Sequence, residues 1–110
     1  MFDKISAHLY NVSMNRNKNK GIADITSFLT KLKTQDEIVN FMTEILTQAE
    51  LETLSKRWRI INMLNDGMSQ RDIAQKLQVS LCKVTRGAKI LKDKNSIVRK
   101  YLIKEKLHEI

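Results

Sequence analysis

The stretch "SQRDIAQKLQVSLCKVTRGAKIL", residues 69–91, decides the fold of this 110-residue chain. Apolar residues recur at helical spacing on both sides of a short break at residues 78–80, so the pattern predicts two helices joined by a bend. Ser69 is a suitable N-cap for the first helix, and Asp72 follows three residues later as in a capping box. This arrangement is typical of a helix-turn-helix, in which one helix braces another that lies in the major groove of DNA.

A helix-turn-helix needs an apolar interface between its two helices and a polar face toward DNA, and the side chains of this stretch provide both. The apolar residues predicted to face each other across the two helices are Ile73, Leu77, Val79 and Val84. Ala74 is small where the helices are expected to approach most closely. In the second helix the apolar stripe consists of Leu81, Val84, Ala88 and Leu91. Its other side chains are mostly cationic or able to hydrogen bond, as a surface facing DNA requires. The alternative is an ordinary pair of packed helices in an all-α protein.

The rest of the chain also favours helices over strands. Proline is absent and only three glycines occur, and no alternating run with hairpin turns indicates a strand. The predicted fold class is therefore all-α. Apolar spacing predicts further helices over residues 22–32, 35–45 and 96–107.

A longer, central helix is predicted from Thr47 to Asp66. Thr47 with Glu50 makes a capping box at its start, and Gly67 can take the left-handed backbone that ends a helix. One face of it carries Leu51, Leu54, Trp58 and Ile61. Trp58 fits equally a core position or part of a ligand wall.

The N-terminal part of the chain predicts a flexible or partly helical arm over residues 1–21. Helical spacing of Phe2, Ile5, Leu9 and Val12 indicates a short amphipathic helix there. The polar segment "NRNKNKG", residues 15–21, then predicts a flexible linker or a frayed helix end. Residues 22–110 form the predicted helical domain, with the helix-turn-helix at about residues 69–91.

Charge is distributed unevenly along the chain. Residues 1–55 hold six Lys or Arg and seven Asp or Glu, whereas residues 56–110 hold fourteen and five. The strongly basic second half suggests a surface for a polyanion, because Lys and Arg gain affinity by releasing counterions from phosphates. A solvated cationic face that aids solubility explains the charge equally well.

Several classes of function are not indicated. Cys82 is the single cysteine, so no internal disulfide can form, and a reducing, cytoplasmic location is predicted. No apolar run is long enough to span a membrane, and no signal-peptide core is found. Metal-ligand spacing, a nucleophile–base pair and a phosphate-binding glycine loop are also missing, so the sequence predicts neither an enzyme nor a cofactor.

Three segments together resemble the Trp repressor family: "LTQAELETLSKRWRIINML" from residue 46, "MSQRDIA" from residue 68 and "VTRG" from residue 84. The resemblance extends over roughly residues 28–107. It implies six helices per subunit and an intertwined homodimer. It also implies a transcriptional repressor that binds operator DNA with free L-tryptophan as corepressor, acting on genes of tryptophan biosynthesis or transport.

The resemblance further implies a set of ligand residues, namely Leu46, Thr47, Arg57, Arg86, Gly87 and Ile90. Arg57 and Arg86 would sandwich the indole ring, a contact that planar guanidinium groups suit. Arg86 would also hold the carboxylate with help from Thr47, and the backbone near Leu46 would receive the amino group. Gly87 would leave room for the ring to lie close to the helix backbone.

The residues that the resemblance places at DNA are Gln70, Arg71, Cys82, Lys83, Thr85 and Lys92. Arg71 is the best candidate for a direct base contact, with guanine as the expected base. Lys83 and Lys92 are expected to meet phosphates.

The chain departs from the family pattern at several positions. Ile90 stands where a serine near the ligand's amino group is usual, and Ala74 replaces a polar residue that faces DNA. Gln78 occupies the bend, where helix-turn-helix motifs usually have glycine, so it must adopt an unusual backbone conformation or a different turn. The turn at residues 66–67 is one residue shorter.

Two other functions stay open on the sequence. A constitutive DNA-binding module of similar fold, of the transposase or replication-initiator type, would not need Arg57, Gly87 and Thr47 as a set. A non-catalytic helical dimer whose basic face binds RNA or acidic proteins would show steep salt dependence without sequence preference.

Overall fold

The computed structural model describes the backbone of residues 16–109 and the side chains of residues 19–104. Within that range the chain forms six α-helices and no strand, which confirms the all-α class. In chain order the helices are α1 (Arg16–Leu29), α2 (Gln35–Ile45), α3 (Gln48–Asn65), α4 (Gln70–Leu77), α5 (Leu81–Lys92) and α6 (Ile97–Glu109).

The chain divides into two compact units, one ending at Leu51 and the other beginning at Glu52. The first unit holds α1, α2 and the first turn of α3. The second holds the remainder of α3 together with α4, α5 and α6, and therefore contains the whole predicted helix-turn-helix.

The apolar spacing predicts that this helix begins at Ile22, but α1 begins at Arg16. It passes through Gly21 without a break, so of the two interpretations of residues 15–21 the helix end fits residues 16–21 and the flexible linker is wrong for them. The physical reason is that Asn and Lys lower helix stability by only a fraction of a kcal/mol relative to alanine, and a single glycine by about 1 kcal/mol.

The predicted short helix from Phe2 to Val12 lies outside the described residues. For the same reason, the division into an arm of residues 1–21 and a domain of residues 22–110 stays a prediction.

The first unit contains no buried residue among its described side chains. Phe28 of α1 and Phe41 of α2 pack ring to ring, with centroids 5.1 Å apart. Thr34 caps α2, because its hydroxyl accepts the backbone N–H of Glu37 at 3.2 Å. The apolar side chains that remain exposed in this unit are Ile22, Ile25, Phe28, Ile38, Val39 and Ile45.

The second unit has a defined core where α3, α4 and α5 meet. Its fully buried members are Ile60, Ile73 and Val84, one from each of these helices. Leu77 completes the cluster, and Ala74 and Val79 pack against it. The predicted interface of the helix-turn-helix is therefore confirmed. Burying each large aliphatic side chain stabilises the fold by about 1.5–3 kcal/mol.

The buried face of α3 differs from the prediction. Ile61 is buried as expected, but Leu54 and Trp58 are exposed, by 43% and 50%. The helix instead buries Ile60 beside Ile61. Of the two readings of Trp58, a position in the core of the described chain is wrong.

Helix α3 ends as predicted at the Asp66-Gly67 pair. Gly67 has a φ of +93°, and its N–H donates to the carbonyl of Leu64 at 3.0 Å. The N–H of Met68 donates to the carbonyl of Met63, also at 3.0 Å. This is the Schellman pattern, in which a left-handed residue lets two terminal carbonyls be satisfied.

The bend between α4 and α5 repeats this pattern without glycine. Gln78 has φ 54° and ψ 50°, and it is the one non-glycine residue with positive φ within residues 16–109. The N–H of Val79 donates to the carbonyl of Ala74 at 3.0 Å. The bend predicted at residues 78–80 is thus confirmed, at a conformational cost of about 1–2 kcal/mol for a residue with a Cβ.

Replacing Gln78 with glycine should raise the free energy of unfolding by about 1 kcal/mol, since the left-handed penalty outweighs the added flexibility of the unfolded chain. Urea unfolding followed by circular dichroism measures the change. Gln75→Gly is the matched control, because Gln75 is exposed and helical, and it should lower stability by about 1 kcal/mol. A loss of stability in both variants would contradict the assigned strain at Gln78.

Candidate functional site

The outward face of α4 and α5 carries the residues predicted to meet DNA. Arg71, Cys82, Lys83, Thr85 and Lys92 are all exposed, and Gln70 is partly buried. Arg86 and Lys89 of α5 are exposed as well. Because Val84, Gly87 and Ala88 are buried, the opposite side of α5 is fixed against the core while its polar side is free to meet a partner.

Two serines set where these helices begin. The hydroxyl of Ser69 accepts the N–H of Asp72 at 3.1 Å, which is the serine half of the predicted capping box. The hydroxyl of Ser80 accepts the N–H of Lys83 at 3.3 Å. Each cap satisfies a backbone donor that has no partner inside the helix, so α5 starts immediately after the bend.

The structure brings two of the predicted DNA residues together. The Oγ1 of Thr85 on α5 lies 3.0 Å from the Oε1 of Gln70 on α4. It also lies 3.0 Å from the backbone carbonyl oxygen of Leu81. This side-chain bond links the exposed edges of the two helices.

Leu81 is a surface residue, contrary to the expectation from the apolar spacing. It belongs to the apolar stripe that the spacing predicts for α5, but it is 51% exposed. Leu81 is the first residue of the helix, and helical side chains tilt toward the N-terminus, so this one projects past the helix contact. Its position directly after the cap residue Ser80 was the signal for this exposure.

Gly87 is buried at the contact between α5 and α3. A Cβ at this position would lie 2.9 Å from the Cγ2 of Ile60 and 3.4 Å from the Cδ1 of Leu64. The first distance is shorter than Cβ contacts found in proteins. The absence of a side chain therefore lets α5 lie close to α3, which is a packing role independent of any ligand.

Arg57 and Arg86 are exposed near this contact. Arg57 precedes Ile60 and Ile61 by about one helical turn of α3, which is roughly 5 Å along the helix axis. Arg86 directly precedes Gly87 on α5. The two arginines therefore lie on the two helices that meet at Gly87. Ile90, one turn further along α5, is partly buried.

Leu46 and Thr47 lie in the first unit, at the junction of α2 and α3. Leu46 is the C-cap of α2. Thr47 forms the predicted capping box: its N–H donates to the Glu50 carboxylate at 2.8 Å, and its hydroxyl accepts the Glu50 N–H at 3.1 Å. Hydrogen bonds from the backbone and then the side chain of Thr47 hold the pKa of Glu50 below its usual value. Thr47 therefore has a local structural role.

The model of the family described as Trp repressor protein matches residues 20–106. The chain belongs to the Trp repressor family. A "Trp operon repressor homolog" from Xylella fastidiosa is 40% identical over 72 residues, covering 64% of this chain and 78% of the relative's length. The protein of the same name from Chlamydia caviae is 32% identical over 73 residues, covering 66% and 72%.

Membership of the Trp repressor family confirms the resemblance seen in the sequence. It identifies the chain as a Trp-repressor-like regulator and, because the family consists of regulators without catalytic activity, confirms that it is not an enzyme. Within the described residues, no group of three or more His, Cys, Asp or Glu is arranged to hold a metal ion. No described helix is both long and apolar enough to cross a membrane.

Among the predicted ligand residues of this Trp repressor family member, two have a role in the fold itself and two are exposed arginines. Thr47 caps a helix and Gly87 permits helix packing, so the fold alone explains both residue types. Arg57 and Arg86 are exposed, and neither is needed to fill the core. The two arginines are thus the members of the set that test a ligand role most directly.

Replacing Gly87 with alanine should lower the free energy of unfolding by about 1–2 kcal/mol, because overpacking against Ile60 exceeds the gain in helix propensity. Thermal or urea unfolding measures the change. Gly21→Ala is the matched control: nothing lies within 4 Å of a Cβ built there, so this helical substitution should stabilise by up to about 1 kcal/mol. A Gly87→Ala protein as stable as the wild type would contradict the packing role.

Proposed function

We propose that this member of the Trp repressor family is a dimeric, sequence-specific DNA-binding repressor of transcription in the cytoplasm, with L-tryptophan as its corepressor. Its targets would be genes of tryptophan biosynthesis or transport. The observation that carries the proposal is the exposed polar face of α4 and α5, backed by the core of Ile60, Ile73 and Val84.

Helix α5 has the properties of a recognition helix. It is 12 residues long and buries one side only, and no acidic residue occurs in it. Lys83 and Lys92 near its two ends suit contacts with phosphates, which position a protein on the duplex. Leu81 at its start is an exposed apolar side chain, a type that contacts the methyl group of thymine in the major groove.

Arg71 is the proposed base-reading residue of α4. Its guanidinium can donate two parallel hydrogen bonds to the O6 and N7 of guanine, a contact worth about 1–3 kcal/mol of discrimination. Its position two residues after the cap Ser69 leaves it exposed at the first turn of the helix.

Replacing Arg71 with alanine should reduce discrimination between a preferred site and random DNA by about tenfold or more. The preferred site is first obtained by selection from random duplexes with L-tryptophan present, and both affinities are then measured by fluorescence anisotropy. Lys76→Ala, which removes an exposed cation of the same helix, should leave the ratio unchanged. Equal losses on both DNAs in Arg71→Ala would instead identify a phosphate contact.

The exposed apolar side chains support a dimer. Large apolar residues of α1, α2 and α6 lie on the surface of the single chain, among them Phe28, Val39 and Tyr101. Contiguous patches of exposed apolar side chains mark sites that another protein covers. A second copy of the chain is the proposed partner, in agreement with the homodimer that the family resemblance implies.

The corepressor proposal rests on Arg57 and Arg86. Guanidinium groups can stack on an indole ring, and the two arginines lie on α3 and α5, the helices that meet at Gly87; Arg86 can also pair with a carboxylate. The proposal retains Leu46, Thr47, Gly87 and Ile90 as further ligand residues on the family resemblance. Binding would favour the subunit arrangement that fits operator DNA, as a shift between pre-existing states.

Calorimetric titration of the protein with L-tryptophan should show about one site per subunit, with micromolar to sub-millimolar affinity, or roughly −8 to −5 kcal/mol. L-Phenylalanine, which lacks the indole, is the ligand control. Arg86→Ala should abolish the heat of binding while helix content is retained, and Lys76→Ala should not. If the wild type gives no heat with L-tryptophan, the chain is a constitutive DNA binder, which is the alternative function.

A further inference from the structure

The bond between Thr85 and Gln70 connects the two helices of the helix-turn-helix at their exposed edges. Thr85 lies on α5 and Gln70 is the first residue of α4. Their side-chain oxygens are 3.0 Å apart across fifteen residues of sequence. Neither side chain belongs to the core that holds the two helices together, so packing does not account for the pair.

The hydroxyl of Thr85 lies between two oxygen atoms. Gln70 Oε1 and the carbonyl oxygen of Leu81 are each 3.0 Å from its Oγ1. A hydroxyl group has one proton to donate and can also accept. It therefore cannot donate a full hydrogen bond to both oxygens at once.

Rotating the Gln70 amide by half a turn about its Cγ–Cδ bond gives the Thr85 hydroxyl, the Gln70 amide and the Leu81 carbonyl compatible hydrogen bonds. The amide N–H then donates to Thr85 Oγ1, and the Thr85 hydroxyl donates to the carbonyl of Leu81. The two ends of a glutamine amide have the same shape, so hydrogen bonding decides which end faces Thr85.

We propose that Thr85 is a positioning residue that fixes the Gln70 amide for reading an adenine in the major groove. With one N–H bound to Thr85, the amide retains one N–H and its carbonyl oxygen. Adenine presents an acceptor at N7 and a donor at N6, and glutamine pairs with this edge through one donor and one acceptor. The inference rests on the proposed DNA-binding function and assigns part of its sequence preference to the pair.

Gln70 bound to Thr85 is better oriented for contact with adenine than Gln70 alone. A free glutamine side chain has several rotatable bonds, and its amide can present donor and acceptor in either order. Ordering it in advance lowers the entropic cost of making the base contact. Thr85 sits on the recognition helix, so the orientation of the amide is also tied to the position of α5 relative to α4.

Thr85→Val tests the proposal, because valine keeps the branched shape and removes the hydroxyl. Selection from a random duplex pool with L-tryptophan present should give, for the wild type, a motif with a conserved adenine. In Thr85→Val the preference for that adenine should fall by about tenfold or more, while the other positions of the motif persist. Thr85→Ser, which keeps the hydroxyl, should retain the wild-type motif.

A second variant separates positioning from a direct contact of Thr85. Gln70→Met keeps the length of the side chain without its hydrogen bonds, and it should lose the same adenine preference. The double variant should lose no more than either single variant, because coupled residues are non-additive. Circular dichroism confirms that each variant retains its helices.

The possible results are distinguishable. A Thr85→Val protein whose affinity falls equally on every sequence would overturn the proposal and make Thr85 a phosphate contact. Additive losses in the double variant would overturn the coupling. If the wild type enriches no sequence with or without L-tryptophan, the proposed function fails and the pair loses its role with it.

Discussion

The approach of Gly87 to Ile60 is the contact on which the placement of α5 depends. At this point one helix backbone lies against a buried side chain of another, with space for no additional carbon atom. Val84 and Ala88 are buried on the same side of α5, so the contact fixes the rotation of the helix about its axis. That rotation determines which side chains of α5 face outward. The polar surface is therefore a consequence of the packing behind it.

Local signals in the sequence predicted the second unit well. Ser69 caps α4 and Gly67 ends α3, as predicted, because each acts through bonds within a few residues. The bend at Gln78 was also foreseen, although the residue type is unusual there. These features depend on backbone chemistry that a short stretch of sequence contains in full.

The burial of individual side chains and the contacts between helices could not be predicted from local signals, because they depend on which element covers each surface. Periodicity identified an apolar face of α3, but Leu54 and Trp58 on that face are exposed and Ile60 beside it is buried. Leu81 matched the stripe of α5 and still lies at the surface. Among the site residues, the capping box of Thr47 was predicted from the sequence, whereas the packing role of Gly87 depends on a contact visible only in three dimensions. The pair of Gln70 and Thr85 likewise required the tertiary fold.

The exposed apolar side chains of α1 and α2 in the first unit, and of α6 in the second, link the stability of the chain to its abundance. Ile22, Val39 and Tyr101 are each about half exposed in the single chain, and under the proposed self-association a second copy would cover such residues. Dimerisation is a second-order process, so the folded fraction then rises with protein concentration by mass action. Below a threshold number of copies, chains would remain unassembled and be removed by cellular proteases. Gene dosage would thereby set a lower limit for regulation, separate from any control by a small molecule.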